Sequence, residues 1–202
     1  MQNLSEIKKS NLICITGTMG SGKTTAMNYL KDKGYKTFVM DDYIKEIYKK
    51  GNIGYAKILK NFGSNFVNDV EVNRNKLLEH ILESNDNKNK LDSIIVPLIE
   101  KKIKNLSNNN LLFIELGIYI YFPYIFSHYF QKIIIIERLK DLREKDNFFS
   151  LNKSIKFSTK DVGNSKNVLF SSVIYGDYIV ENNGDLASLN KKIENILLNL
   201  SL

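Results

Sequence analysis

A single cysteine and two histidines in 202 residues leave little material for a thiolate or imidazole cluster. Cys14 lies inside the apolar run Leu12 to Thr16 with no second thiol or histidine beside it, which excludes a disulfide framework and points to a buried strand position. His80 and His128 belong to no triad or ligand spacing and read as structural or exposed residues. Long apolar runs are missing too. The most apolar stretch, Leu111 to Phe126, is broken by Glu115 and Pro123, so no membrane span is expected. Near the N-terminus, Lys8 and Lys9 precede an apolar run that Thr16 and Gly17 cut short, unlike a secretory leader; a cytoplasmic location is expected.

A block of clustered positive charge is likewise absent. The formal net charge of +7 comes from lysines spread along the chain, without the basic block and interleaved aromatics that grip nucleic acid. An anionic small molecule is the simpler partner. What is present suits one folded catalytic domain: 43% of residues are hydrophobic and 11% aromatic, enough for a sizeable core.

The chain opens as strand, loop and helix. Leu12 to Thr16 is a short apolar run, glycines follow, and a helical pattern continues to Lys33, where Gly34 stops it. Thr37 to Met40 reads as a second buried strand, with Asp41 and Asp42 at the cap of a helix reaching about Lys49. Apolar residues three and four apart mark helices over Ile53 to Phe62, Val72 to Leu82 and Lys90 to Leu106, with the polar run Ser84 to Lys88 as a separator. Leu111 to Ile114 and Ile133 to Ile136 have the content of central strands of a parallel sheet. Tyr178 to Val180 reads as a last strand, followed by an amphipathic helix from Leu186 to Leu200. Between Asp141 and Ser172 the apolar pattern fades while lysines recur, as expected of a mobile basic lid.

The strongest chemical signal is Gly17-Thr18-Met19-Gly20-Ser21-Gly22-Lys23-Thr24, a Walker A pattern set between a strand and a helix. Glycines let successive amide N–H groups converge on phosphate oxygens, and the helix N-terminus adds its positive dipole end. Lys23 is expected at the β and γ phosphates of ATP, and the Thr24 hydroxyl at a Mg2+ ion bridging them. The chain contains no DxxG segment, and its one NKxD match, Asn89 to Asp92, follows a polar run rather than a buried strand, which disfavours a GTPase. Asp41, at the end of the second strand, is the candidate base for an acceptor hydroxyl. A helix-capping role for Asp41 or Asp42 is the alternative reading.

Along nearly its whole length the chain resembles the dephospho-coenzyme A kinases. The segments that carry the likeness are Ile15 to Thr25, Val39-Met40-Asp41 with Tyr48 and Gly51 following, Phe62-Gly63, Arg74 to Leu77, Ile94 to Ile99, and Gly176 to Gly184. The resemblance implies a P-loop kinase fold, α/β with a parallel central sheet flanked by helices, and transfer of the ATP γ-phosphate to the 3′-hydroxyl of dephospho-coenzyme A. The domain plan implied is a core of about 1–50, 107–140 and 173–202, a helical acceptor-binding insert over about 51–106 and a lid over about 141–172. Thr18 to Thr25 would bind the ATP phosphates, with Lys23 and Asp41 catalytic. Asp41 matches the family's base, Arg74 would help hold the acceptor, Arg143 would reach ATP from the lid, and Asn182 and Gly184 fall in the loop that contacts adenine. Four departures stand out: Val39 replaces the first aspartate of the Asp-x-Asp pair, Val96-Pro97 replaces His-Pro, Glu115 to Tyr119 lacks the family's proline and glutamate, and the lid carries lysines and asparagines where arginines are expected. Glu115 is a candidate substitute carboxylate, acting on the metal through water. Another nucleoside or nucleotide kinase, or a non-catalytic nucleotide-binding relative, are the alternative functions, and oligomeric state is left open.

Overall fold

The computed structural model describes residues 11–107, 110–139, 141–142 and 176–202. Arg143 and the lid from that point onward lie outside the described residues. The chain divides into two compact units, Met1–Phe38 with Ser107–Leu202, and Val39–Leu106.

The first unit is built on a five-stranded sheet in the order β2-β3-β1-β4-β5, with β1 at Leu12–Thr16, β2 at Thr37–Val39, β3 at Leu112–Glu115, β4 at Lys132–Glu137 and β5 at Tyr178–Glu181. The pairings of β1 with β3, β1 with β4, and β4 with β5 are parallel. All five residues of β1 are buried, and Ile133 to Glu137 are buried along β4. Such unbroken apolar runs are what a parallel sheet covered on both faces requires. Helix α1, Lys23–Asp32, packs its buried Ala26, Met27 and Leu30 toward β1 and β3. The C-terminal helix Leu186–Asn199 lies against β5 and α1 through its buried stripe Leu189, Ile193, Ile196 and Leu197. Each large aliphatic side chain fully buried in this way stabilises by about 1.5–3 kcal/mol.

Several boundaries shift by a residue or two from the sequence reading, and two helix starts differ for a clear local reason. Helix α2, Met40–Ile47, starts directly after β2 with Val39 at its cap, so Asp41 and Asp42 lie in the first helical turn and make no capping hydrogen bond. Carboxylates are favoured there by the helix dipole, and Asp42 also accepts from Lys45 Nζ at 2.7 Å. The polar run expected to separate two helices instead begins one. Helix α5 spans Asn85–Leu106, Ser84 Oγ accepts from the Asn87 N–H at 3.2 Å, and the NKxD match lies inside this helix.

Within the second unit, α3 (Ile53–Phe62), α4 (Arg74–Glu83) and α5 pack on one another, and α2 packs on α3. A loop closes the unit through Val72 N–H to Tyr48 O at 2.9 Å and Lys50 N–H to Val70 O at 2.7 Å. Between β3 and β4 the chain forms short turns over Gly117–Tyr121, Pro123–Phe126 (α6) and Ser127–Tyr129; the C-terminal helix is α7. Among the described residues no helix is long and apolar enough to cross a membrane.

Candidate active site

The loop from Gly17 to Gly22 leaves the C-terminal end of β1, the middle strand, and enters α1 at Lys23. Its glycines are demanded by geometry. Gly17, Gly20 and Gly22 have φ of +141°, +75° and +104°, conformations that side chains rarely adopt. A Cβ on Gly17 would lie 2.0 Å from the Ile136 carbonyl oxygen on β4, and one on Gly22 would lie 2.2 Å from Asn182 Nδ2. At Gly17 the backbone therefore packs too closely for any other residue, and the loop curls back on itself through Ser21 N–H to Thr18 O at 3.2 Å.

Lys23 folds over this curl. Its Nζ donates to Thr18 O at 2.9 Å, which holds a positive charge at the loop's mouth. Thr24 and Thr25 are exposed in the first turn of α1, and Met19 at the tip is 52% exposed. Ser21 is fully buried, and its hydroxyl has no hydrogen-bond partner among the described residues. A glycine loop at a helix N-terminus, a cation folded across it and hydroxyls at the helix start are the donor set a triphosphate needs, so the residues present fit that group.

The end of β3 borders the same loop. Glu115, only 8% exposed, pairs in register with Ile15, and the next residue, Leu116, receives the Thr16 hydroxyl on its carbonyl at 2.9 Å. A Cβ on Gly117 would come within 4.0 Å of Lys23 Cε. The buried carboxylate thus ends the strand next to the one that feeds the phosphate loop. Among the described residues no group of three or more His, Cys, Asp or Glu is arranged to hold a metal ion by itself. Glu115 and the Thr24 hydroxyl are oxygen donors of the kind Mg2+ takes.

On the opposite border lies the loop after β5. Asn182 is buried, its N–H donates to Glu137 O at 2.7 Å, and its side-chain Nδ2 donates to Ser21 O at 2.8 Å. Gly184 is exposed, with Ser188 beside it. The contact between Asn182 and the phosphate loop spans 161 residues of chain and leaves no trace in residue spacing.

The other candidates belong to the second unit. Asp41 is exposed in the first turn of α2, and Arg74 is exposed at the first position of α4. Burial pushes the Tyr48 hydroxyl up to about 12, while the charge of Arg74 pulls the other way, so that guanidinium acts on Tyr48. His80 lies half-buried with its ring 5.0 Å from that of Phe66 and its Nδ1 2.9 Å from Glu83 Oε2; His128 is exposed. Cys14 is buried, which raises its thiol well above the usual range.

A glycine loop that joins the middle strand of a parallel sheet to a helix and carries a lysine across its own mouth defines the class, a P-loop kinase fold. The solved dephospho-CoA kinase from Campylobacter jejuni shares that fold, with a TM-score of 0.59 at 18% identity over 95% of this chain and 97% of that one. A sequence model described as dephospho-CoA kinase matches residues 11–143, and the chain belongs to that family. A Mycoplasma genitalium dephospho-CoA kinase is 35% identical over 131 residues, which make up 63% of this chain and 66%, just under two thirds, of the relative. A Rickettsia typhi dephospho-CoA kinase is 28% identical over 93% of this chain and 96% of its own. The family resemblance read from the motifs is thereby borne out.

Proposed function

We propose that this chain transfers the γ-phosphoryl group of ATP to the 3′-hydroxyl of dephospho-coenzyme A, giving coenzyme A and ADP. The observation that carries this reading is the Lys23-closed glycine loop in a chain of this family. The amides of Thr18 to Thr25 hold the phosphates, and Lys23 offsets the charge that builds on the transferring group. Thr24 and Glu115 would hold Mg2+, which would supply neutralisation of phosphate charge. Asp41 accepts the proton of the acceptor hydroxyl, a role suited to its exposed carboxylate. By the family resemblance Arg74 binds the acceptor side and the backbone around Asn182 and Gly184 borders the adenine; Arg143, an ATP contact by the same resemblance, lies outside the described residues. The partners are small molecules, with neither nucleic acid nor membrane among them, and the reaction takes place in the cytoplasm.

The test is ADP release from ATP and magnesium with dephospho-coenzyme A as acceptor, set against other nucleosides and nucleotides. Asp41→Asn is expected to lower kcat by at least about a hundredfold while leaving ATP affinity in place. Unchanged turnover in that variant removes Asp41 as base. Faster turnover with another acceptor replaces the substrate, and tight ATP binding without turnover of any acceptor would make the chain a binding protein only.

A further inference from the structure

Asn182 belongs by resemblance to a base-contacting loop, yet its side chain is directed at the phosphate loop. Its Nδ2 is directed at the carbonyl of Ser21 at 2.8 Å in a buried contact, and the residue as a whole is 8% exposed. Its own N–H is tied to Glu137 O at the end of β4, so the side chain works from an anchored backbone. Gly22 has no side chain where Asn182 sits, and a Cβ there would lie 2.2 Å from Nδ2 and 3.7 Å from Leu189 Cδ2. The amide group therefore presses directly on the Ser21–Gly22 peptide.

That contact has a directional consequence. In a planar trans peptide the C=O and the following N–H point to opposite sides, and no cis bond occurs among the described residues. A donor that grips Ser21 O from one side fixes the Gly22 N–H toward the other. Gly22 itself has a φ of +104° and wide conformational freedom, so this peptide plane needs an external tie to hold one orientation. The tie comes from a residue 161 positions away, through a bond sheltered from competing water.

We infer that Asn182 is a positioning residue for the phosphate loop: it sets the Ser21–Gly22 peptide so that the Gly22 N–H aims at the triphosphate. It acts through the loop, and its contribution falls on the phosphates, not on the base. The inference rests on the reading of Gly17 to Thr24 as a triphosphate cradle, and it needs no particular acceptor.

The experiment uses the full chain and two partial ligands, inorganic tripolyphosphate, which has no base, and adenosine, which has no phosphate. Asn182→Ala is expected to weaken tripolyphosphate about five- to tenfold by titration calorimetry, the loss of one sheltered hydrogen bond. Adenosine binding, followed by NMR, stays as in the parent. In turnover assays the KM for ATP rises while the KM for dephospho-coenzyme A holds. Weakened adenosine with unchanged tripolyphosphate overturns the proposal in favour of base contact, and an equal loss of both overturns it in favour of general disorder. Should Asn182→Ala fail to fold, Asn182→Leu is read in the same way, because it keeps the approximate size and removes the donor facing Ser21 O without adding charge near the phosphates. Tripolyphosphate binding by the parent chain is independent of acceptor turnover, so a failed kinase assay and a failed positioning role give separate results.

Discussion

Gly17→Ala should damage both stability and phosphate binding, and the structure supplies the size of the effect. The new Cβ would meet the Ile136 carbonyl oxygen at 2.0 Å, Ser21 Oγ at 2.9 Å and Ile136 C at 3.1 Å. The nearest of these is backbone of a central strand, hydrogen-bonded into the sheet, and cannot swing aside as a side-chain tip would. Overpacking of this kind costs about 1–3 kcal/mol, and holding alanine at a φ of +141° adds about 1–3 kcal/mol more. Together they come to about 2–6 kcal/mol, a large share of the roughly 5–15 kcal/mol that stabilises a typical domain. Gly34→Ala separates the two contributions, because Gly34 also has positive φ, +88°, but nothing lies within 4 Å of its Cβ position. That variant should lose only the conformational part, about 1–3 kcal/mol. Urea unfolding followed by circular dichroism measures both, and ATP titration reads the loop. If Gly17→Ala falls within about 0.5 kcal/mol of Gly34→Ala and binds ATP like the parent, the close packing of the loop against β4 is refuted.

Three further outcomes are expected. Tyr48 is raised by burial from 10.0 to about 12, so its neutral form is favoured in the folded chain. Its contribution is complete below pH 10 and is lost as pH rises through about 12, a fall of about 2–3 kcal/mol that Tyr48→Phe should abolish in alkaline unfolding curves. Glu115→Gln should raise the magnesium concentration for half-maximal turnover about tenfold, and an unchanged requirement would leave the carboxylate a purely structural role. Ile134→Ala, at a side chain 1% exposed in the middle of the sheet, should cost about 2–5 kcal/mol; a loss under about 1 kcal/mol in the urea midpoint would contradict the packing described.

Much of the first unit was legible because its signals are local. Five consecutive apolar or small residues followed by glycines and a Lys-Thr pair leave one economical solution, and β1, the loop and α1 lie where the pattern placed them. The isoleucine run of β4 was equally plain. Polar residues were harder to read. Asp41 and Asp42 suit a cap or a first turn, and β2 running straight into α2 decided for the turn. The Asn- and Lys-rich stretch after Ser84 looked like a break, but capping by Ser84 and packing of the apolar residues further along α5 made it the start of a helix. The turns over Gly117–Tyr129 have neither period, being short aromatic-rich pieces shaped by what they cover. In the site, loop residues and the strand-end position of Glu115 follow from spacing. The hydrogen bond from Asn182 does not, since only the closed sheet brings residues so distant in sequence together.

The strand that feeds the glycine loop is also the innermost of five, with two neighbours on either flank. Fraying begins at sheet edges and rarely reaches the centre short of global opening, so the nucleotide grip belongs to the last part of the first unit to come apart. A bound triphosphate would accordingly slow hydrogen exchange at the deepest amides by mass action on whole-unit unfolding, while edge amides on β2 and β5 continue to exchange by local openings indifferent to the ligand.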